Sequence, residues 1–424
     1  MLESIMDRRN MERSLRQVER NDGAGGVDGM SCKELRPYLH ANWQTLRTAV
    51  IIEQYVPLPV RKVEIDKSGG GKRLLGIPCV IDRMMQQGIA QWLEPQYDPG
   101  FSATSYGFRP GRNAHQALLQ AQRFLNEGKQ WVIELDLAQF FDRVNHDKLM
   151  GRLRRKITDK GTLRLIRSYL RSGIMEGGLI SPRTEGTPQG SPLSPILSNI
   201  VLDDLDKELE RRGLSYVRYA DDCSIYVGSE RSARRVLASI IKYIEERLSL
   251  KVNRTKTKIS RPYESVLLGY SFYWYKGKWE LRIASRSAER IREKCKLLTT
   301  RSTQVSLLMR IAQLEEVITG WVTYFRLAKG KGLMRTLDNY VRMRMRMCKW
   351  KEWKKPIARR RNLIKLGMER EAALGLGGSN KGTCRVASSF ILQTTLTYEY
   401  FLRKGYIGFA KHYYWLTTKQ TSLF

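Results

Sequence analysis

The chain has 424 residues, with 75 Lys and Arg against 42 Asp and Glu, and so carries a formal charge of +33. At 42% hydrophobic and 28% charged it holds enough apolar material for about three or four packed domains and too much for a disordered basic tail. The charge points to a polyanionic partner, and no run approaches the ~18 apolar residues of a membrane span, so a soluble, cytoplasmic protein with no membrane partner is expected.

Six scattered cysteines with no C-x-x-C pair favour reduced core thiols over zinc ligands or disulfides. In chain order, the first informative segment is the glycine-rich stretch 20–31, ahead of Glu34. Val63-Glu64-Ile65 and Leu74-Leu75 then flank a loop holding Lys67, Lys72 and Arg73 around three glycines, which reads as a hairpin with a cationic tip. Residues 131–137 alternate, with Trp131, Ile133, Leu135 and Leu137 on one strand face and Glu134 and Asp136 on the other. The chain next passes Phe140, Phe141 and Asp142 into a turn, and a helix is expected from about Asp147.

Residues 216–227 read as a second hairpin, two β-rich runs around a tip that carries Asp221 and Asp222. Adjacent carboxylates repel, and hard divalent cations resolve the conflict. Mg²⁺ is held by one or two carboxylates plus substrate phosphates, and two such ions support phosphoryl transfer. Beyond residue 284 the chain has 29 basic and 9 acidic side chains, densest from Arg342 to Arg361. Trp350 and Trp353 interrupt that run, and aromatic faces beside cations suit a ligand with both phosphates and bases.

Five segments together resemble the reverse transcriptases encoded by group II introns, or intron maturases. They are Ser105-Tyr106-Gly107-Phe108-Arg109-Pro110, Asp136 to Asp142, Gly186-Thr187-Pro188-Gln189-Gly190, Tyr219-Ala220-Asp221-Asp222, and Gly320-Trp321-Val322-Thr323-Tyr324-Phe325, in the family's order. The resemblance implies an α+β right-hand polymerase: an N-terminal extension at 1–54, fingers at 55–125, and a palm with fingers insertions at 126–284, in antiparallel sheet plus helices. An α-helical thumb (domain X) would follow at 285–355 and a small basic DNA- or RNA-binding segment at 356–424.

Roles implied residue by residue are these. Asp136, Asp221 and Asp222 would be catalytic and hold two Mg²⁺, with Mn²⁺ as a substitute and the Leu137 carbonyl as a further ligand. Lys67, Arg73, Arg83, Gln189 and Lys256 would contact the nucleotide, and Phe141 would exclude a ribose 2′-OH. Leu268, Gly269 and Tyr270 resemble the primer grip. Arg109, Arg342, Arg346, Lys349, Trp350, Lys354 and Lys355 would contact nucleic acid. Asp66 and Ser68 stand where the family usually has proline, which puts closure of the fingers loop in doubt.

The implied activity is RNA-directed DNA polymerisation with intron RNA binding, splicing and retrohoming. The partners would be intron RNA and an RNA template, a DNA primer or target, and deoxynucleoside triphosphates in a bacterial cytoplasm. The tail lacks the cysteine pairs of an H-N-H nuclease, which resembles compact forms of the group IIC lineage. A non-catalytic RNA-folding splicing cofactor, a two-metal nuclease, and a reverse transcriptase of CRISPR-associated, retron or diversity-generating type remain alternatives. The oligomeric state, monomer or homodimer, stays open.

Overall fold

A computed structural model describes residues 1–66 and 71–418. It has the expected α+β composition and divides into two compact units, Met1–Pro262 and Tyr263–Phe424. Among the described residues no helix is long and apolar enough to cross a membrane, and all six cysteines are free.

The first unit opens with helices whose starts are legible in their caps. Asp7 accepts from the amides of Arg9 and Asn10 to begin helix Arg8–Asn21, and a Ser31/Glu34 capping box begins helix Cys32–Ile51. Strands β1 (Val60–Asp66) and β2 (Lys72–Ile77) form the expected hairpin. The chain continues through helices Val80–Tyr97 and Ala114–Asn126 into β3 (Trp131–Leu135), then helices His146–Arg154 and Lys160–Arg171. A short hairpin, β4 (Ile174–Glu176) and β5 (Leu179–Ser181), turns on Gly177 and Gly178, both at positive φ.

Helix Ser194–Arg211 leads to β6 (Ser215–Tyr219) and β7 (Asp222–Val227), and β8 (Lys258–Ser260) closes the unit's strands. One sheet has the order β2-β1-β4-β5, with β1 and β4 parallel, so this part is mixed where antiparallel pairing was expected. The other, β6-β7-β3-β8, is antiparallel throughout, and Val132, Ile133, Val217 and Ile225 are fully buried in it.

The second unit begins with a three-stranded sheet, β9 (Val266–Leu267), β10 (Tyr270–Tyr275) and β11 (Lys278–Ile283), followed by helices Ser285–Leu298, Leu307–Phe325 and Lys331–Glu352. Met334, Leu337, Val341, Met345 and Cys348 recur at helical spacing and are buried. The aromatic residues of the tail are largely core: Phe401, Tyr406, Phe409 and Tyr413 pack into the unit's hydrophobic cluster. Buried Asp338 fixes them, accepting from Tyr406 Oη (2.8 Å) and the amides of Phe409 (2.8 Å) and Ala410 (2.9 Å).

Candidate active site

In the β6–β7 hairpin Tyr219 pairs with Asp222, leaving Ala220 and Asp221 as the turn, with Ala220 at φ 58°. β3 and β7 are in a register that pairs Leu135 with Cys223. One step further along that ladder, Asp136 lies beside Asp222, and opposite residues of an antiparallel pair stand about 4.5–5.5 Å apart at Cα. Beyond β3 the chain stays extended and bridges to Val252: the Asn253 amide donates to the Asp136 carbonyl (2.9 Å) and the Ala138 amide to that of Lys251 (2.8 Å). Since successive backbone groups point to opposite edges, the Leu137 carbonyl faces the side of the Asp221–Asp222 turn.

Three carboxylates so placed repel. The Asp221 carboxyl is pushed up by burial and then by the Asp136 charge, with Arg73 and Arg218 opposing. Asp222 is pushed up to about 6 by the surrounding protein and next by the charges of Asp221 and Asp136. Asp222 keeps an exposed surface, which leaves its carboxyl facing the two neighbouring carboxylate charges. Lys256 Nζ, 3.7 Å from Asp136 Oδ2, offsets part of the repulsion. The donor set suits hard divalent cations. Among the described residues no group of three or more His, Cys, Asp or Glu side chains is placed so that it could hold a metal ion, and a divalent ion at the three aspartates would need substrate oxygens and water to complete its coordination.

The turn is held from behind by a buried arginine that lies outside the five recognisable segments. Arg218, fully buried on β6, donates to the Ala220 carbonyl (2.9 Å), to Asn199 Oδ1 (3.0 Å) and to Asp206. Asn199 in turn donates to the Gly107 carbonyl (3.0 Å). An arginine inside a β-rich run, twelve residues after an aspartate on a helix, was the available signal.

The expected fingers residues divide. Arg73 Nε donates to Gln189 Oε1 (2.5 Å), and the Gly76 amide donates to the Gln189 carbonyl (2.9 Å), which ties β2 to the Pro188-Gln189-Gly190 segment. Lys67 lies outside the described residues. Phe140 is buried and Phe141 half-buried, the two rings edge-to-face at 5.2 Å, and the Phe141 carbonyl accepts from the Thr187 amide. Arg83 turns away from the nucleotide role: its Nη2 donates to the Ala24 carbonyl (2.5 Å), while neighbouring Asp82 accepts from Tyr55 and Leu58.

Three residues expected on nucleic acid are structural instead. The Arg109 side chain is 5% exposed, paired with Asp98 (2.6 Å) and bonded to the carbonyls of Asp98, Ser102 and Ser105, so no donor faces a phosphate. Arg346 is buried and donates to the Leu396 carbonyl (2.9 Å); burial and the Arg342 charge lower its pKa to about 10. Trp350 is 2% exposed, packed edge-to-face on Trp353 and capped by the Arg359 guanidinium, so it cannot stack on a base. Lys349 pairs with Glu352 (2.6 Å), Arg342 lies over the Tyr398 ring, and Lys354 and Lys355 are exposed.

The grip segment forms a tight turn in the second unit, with Leu268 at φ 51° and Gly269 at φ 81°. Tyr324 Oη donates to the Leu268 carbonyl (2.8 Å), Ser287 Oγ donates to that of Gly269 (3.0 Å), and buried Tyr270 packs on Tyr324 and Phe325.

With this geometry in place, residues 65–273 match the family described as "Reverse transcriptase (RNA-dependent DNA polymerase)", and residues 288–367 match "Group II intron, maturase-specific domain". The chain is 33% identical over 300 residues to Protein YkfC of Escherichia coli (strain K12), covering 61% of this chain and 79% of that one. It is 35% identical over 211 residues to the group II intron-encoded protein LtrA of Lactococcus lactis subsp. cremoris, covering 50% of this chain and 34% of LtrA. An uncharacterized 91 kDa protein in the cob intron of Schizosaccharomyces pombe is 32% identical over 302 residues, covering 57% and 36%. The chain thus spans about four-fifths of the first relative and about a third of the other two.

Proposed function

The chain belongs to the group II intron-encoded reverse transcriptases, a family of RNA-directed DNA polymerases that use divalent metal ions and bind nucleic acid, and from that premise we propose that it copies RNA into DNA at the Asp136, Asp221 and Asp222 cluster. The observation that carries the reading is the β3–β7 register, which sets Asp136 beside the Asp221–Asp222 turn.

The three carboxylates and the Leu137 carbonyl would hold two Mg²⁺. Bound there, the ions would activate a primer 3′-oxygen and neutralise charge on the leaving pyrophosphate. The remaining residues position the substrates. Arg73, already oriented by Gln189, turns a rigid fork of donors towards a triphosphate. Half-buried Phe141, backed by Phe140, closes the space a ribose 2′-OH needs, which favours deoxynucleotides. Lys256, beside Asp136, meets phosphate charge as it arrives. The Leu268-Gly269-Tyr270 turn supports the primer backbone, and the exposed cations of the second unit, Lys354 and Lys355 among them, bind intron RNA in support of splicing and retrohoming into DNA. The maturase-specific match at 288–367 supports that second role.

A DNA primer annealed to an RNA template, with deoxynucleotides and Mg²⁺, tests the reading. Extension should occur with the native chain and disappear in Asp221→Asn. A native chain that extends no primer with any divalent ion, yet assists splicing, is instead the RNA-folding cofactor.

A further inference from the structure

A basic cavity lies apart from the trio, between helices His146–Arg154 and Lys160–Arg171 and the segment 182–184. Helix Lys160–Arg171 buries Leu163, Leu165, Ile166 and Leu170, and it presents Arg164, Arg167 and Arg171 at i, i+3 and i+7 along another face. Arg167 and Arg171 line a cavity of about 310 Å³ together with His146, Asp147 and Arg183. They also line an adjoining cavity of about 470 Å³ that adds Arg164.

Among the described residues, Arg167 Nε, Arg183 Nη1 and His146 Nδ1 are buried without a hydrogen-bond partner. A buried donor left unpaired costs about 1–3 kcal/mol. Two of them in one cavity wall, in a chain of charge +33, leave donors there that no protein group uses and that suit an anion. The opposing carboxylates do not supply it: Asp147 accepts from Arg167 Nη2 (2.7 Å), Glu53 pairs with Arg164 (2.5 Å), and Asp142 acts on Arg183 through its charge without satisfying Nη1. The ring of His146 is held through Nε2 against the Gly186 carbonyl (2.7 Å).

We propose that this cavity pair is a second phosphate site, which takes successive backbone phosphates of a nucleic-acid strand. Tetrahedral oxyanions offer the several acceptors that guanidinium forks require. Seven residues of helix separate Arg164 from Arg171, about 10 Å at 1.5 Å per residue, which is longer than one phosphate and suits a repeating polyanion. The site shares no residue with the trio, Arg73 or Gln189, so it stands whether or not the chain polymerises.

The test is RNA binding by the full chain across a range of salt concentrations. Replacing both Arg171→Gln and Arg183→Gln should lower the slope of log affinity against log salt by about one to two, whereas Arg234→Gln, at an exposed residue paired with Glu230, should leave it unchanged. An unaltered slope in the double variant overturns the site. If that variant fails to fold, the native chain is treated with phenylglyoxal, with and without an RNA oligonucleotide or inorganic phosphate, and its arginines are mapped by mass spectrometry. Shielding of Arg171 and Arg183 by RNA supports the strand assignment. Continued reactivity, or shielding by inorganic phosphate with none gained from RNA, overturns it.

Discussion

Arg218 and Asp206 form an ion pair with essentially no solvent exposure, and the same guanidinium holds the Ala220 carbonyl one residue before Asp221. Burial opposes both charges: it pushes the Asp206 carboxyl up against the pull of the guanidinium, while at Arg218 the Asp206 carboxylate outweighs burial and raises the guanidinium pKa. Arg218→Met should cost about 3–5 kcal/mol, because it strands a buried carboxylate. Adding Asp206→Leu should return most of that stability, since a buried ion pair replaced by packed apolar groups is often neutral. Primer extension should stay low in the double variant, because the Ala220 carbonyl has then lost the guanidinium that held it. Denaturant titration and extension rate check the two halves, and a double variant with native activity removes Arg218 as a positioning residue.

Gly107 sits against the same turn. A Cβ there would lie 2.2 Å from the Ala220 nitrogen and 2.8 Å from the Tyr219 carbonyl carbon, and backbone cannot yield as a side-chain tip does. Gly107→Ala should therefore displace the hairpin, costing about 1–3 kcal/mol by overpacking. Activity should fall by more than the unfolded fraction explains, as read by extension well below the melting temperature. Activity that tracks stability alone would mean the turn tolerates the shift.

How much of this was legible beforehand depended on how local each signal was. The trio was readable because alternation along 131–137 and the β-rich runs around Asp221 and Asp222 are short-range patterns, and the pairing of two such strands follows from their faces. Arg109, Arg346 and Trp350 were misassigned because a count of cations cannot separate a guanidinium facing water from one whose donors end on carbonyls. That distinction lies in partners far along the chain, such as Leu396 for Arg346. The Arg218–Asp206 pair is hard to read for the same reason: an arginine in a β-rich run is its one local signal, and the partner lies on a helix that reads as ordinary until the fold brings the two together.

Asp82, at the start of helix Val80–Tyr97, is 2% exposed and accepts from Tyr55 Oη (2.8 Å) and the Leu58 amide (3.2 Å). Burial pushes its carboxyl up to about 6, against an ordinary value of 3.8. Between those values the folded chain binds a proton that the unfolded chain does not, so this group's contribution to stability is full below about 4 and is lost as pH rises through about 6. Asp82→Asn removes the titration. Relative to the native chain, the variant should gain about 2–3 kcal/mol between pH 4 and pH 7. Urea midpoints across that range check it, and parallel profiles for the two proteins would place the proton elsewhere.

Tyr324 joins the maturase-type helix Leu307–Phe325 to the grip: its hydroxyl donates to the Leu268 carbonyl at 2.8 Å, and its own carbonyl accepts from Tyr270 Oη. Leu268 occupies positive φ, a conformation that a branched side chain adopts only when its surroundings impose it. Removing the hydroxyl in Tyr324→Phe keeps the ring against Tyr270 and Phe325, so the fold should lose only about 0.5–1.5 kcal/mol. The turn loses one of its holds, and a primer resting on it should dissociate sooner. Extension under single-encounter conditions should then give shorter products, while the KM for deoxynucleotide stays at the native value because Arg73 and Gln189 are untouched. Products of native length from Tyr324→Phe would show that the Ser287 and Ala284 contacts to Gly269 suffice to hold the turn.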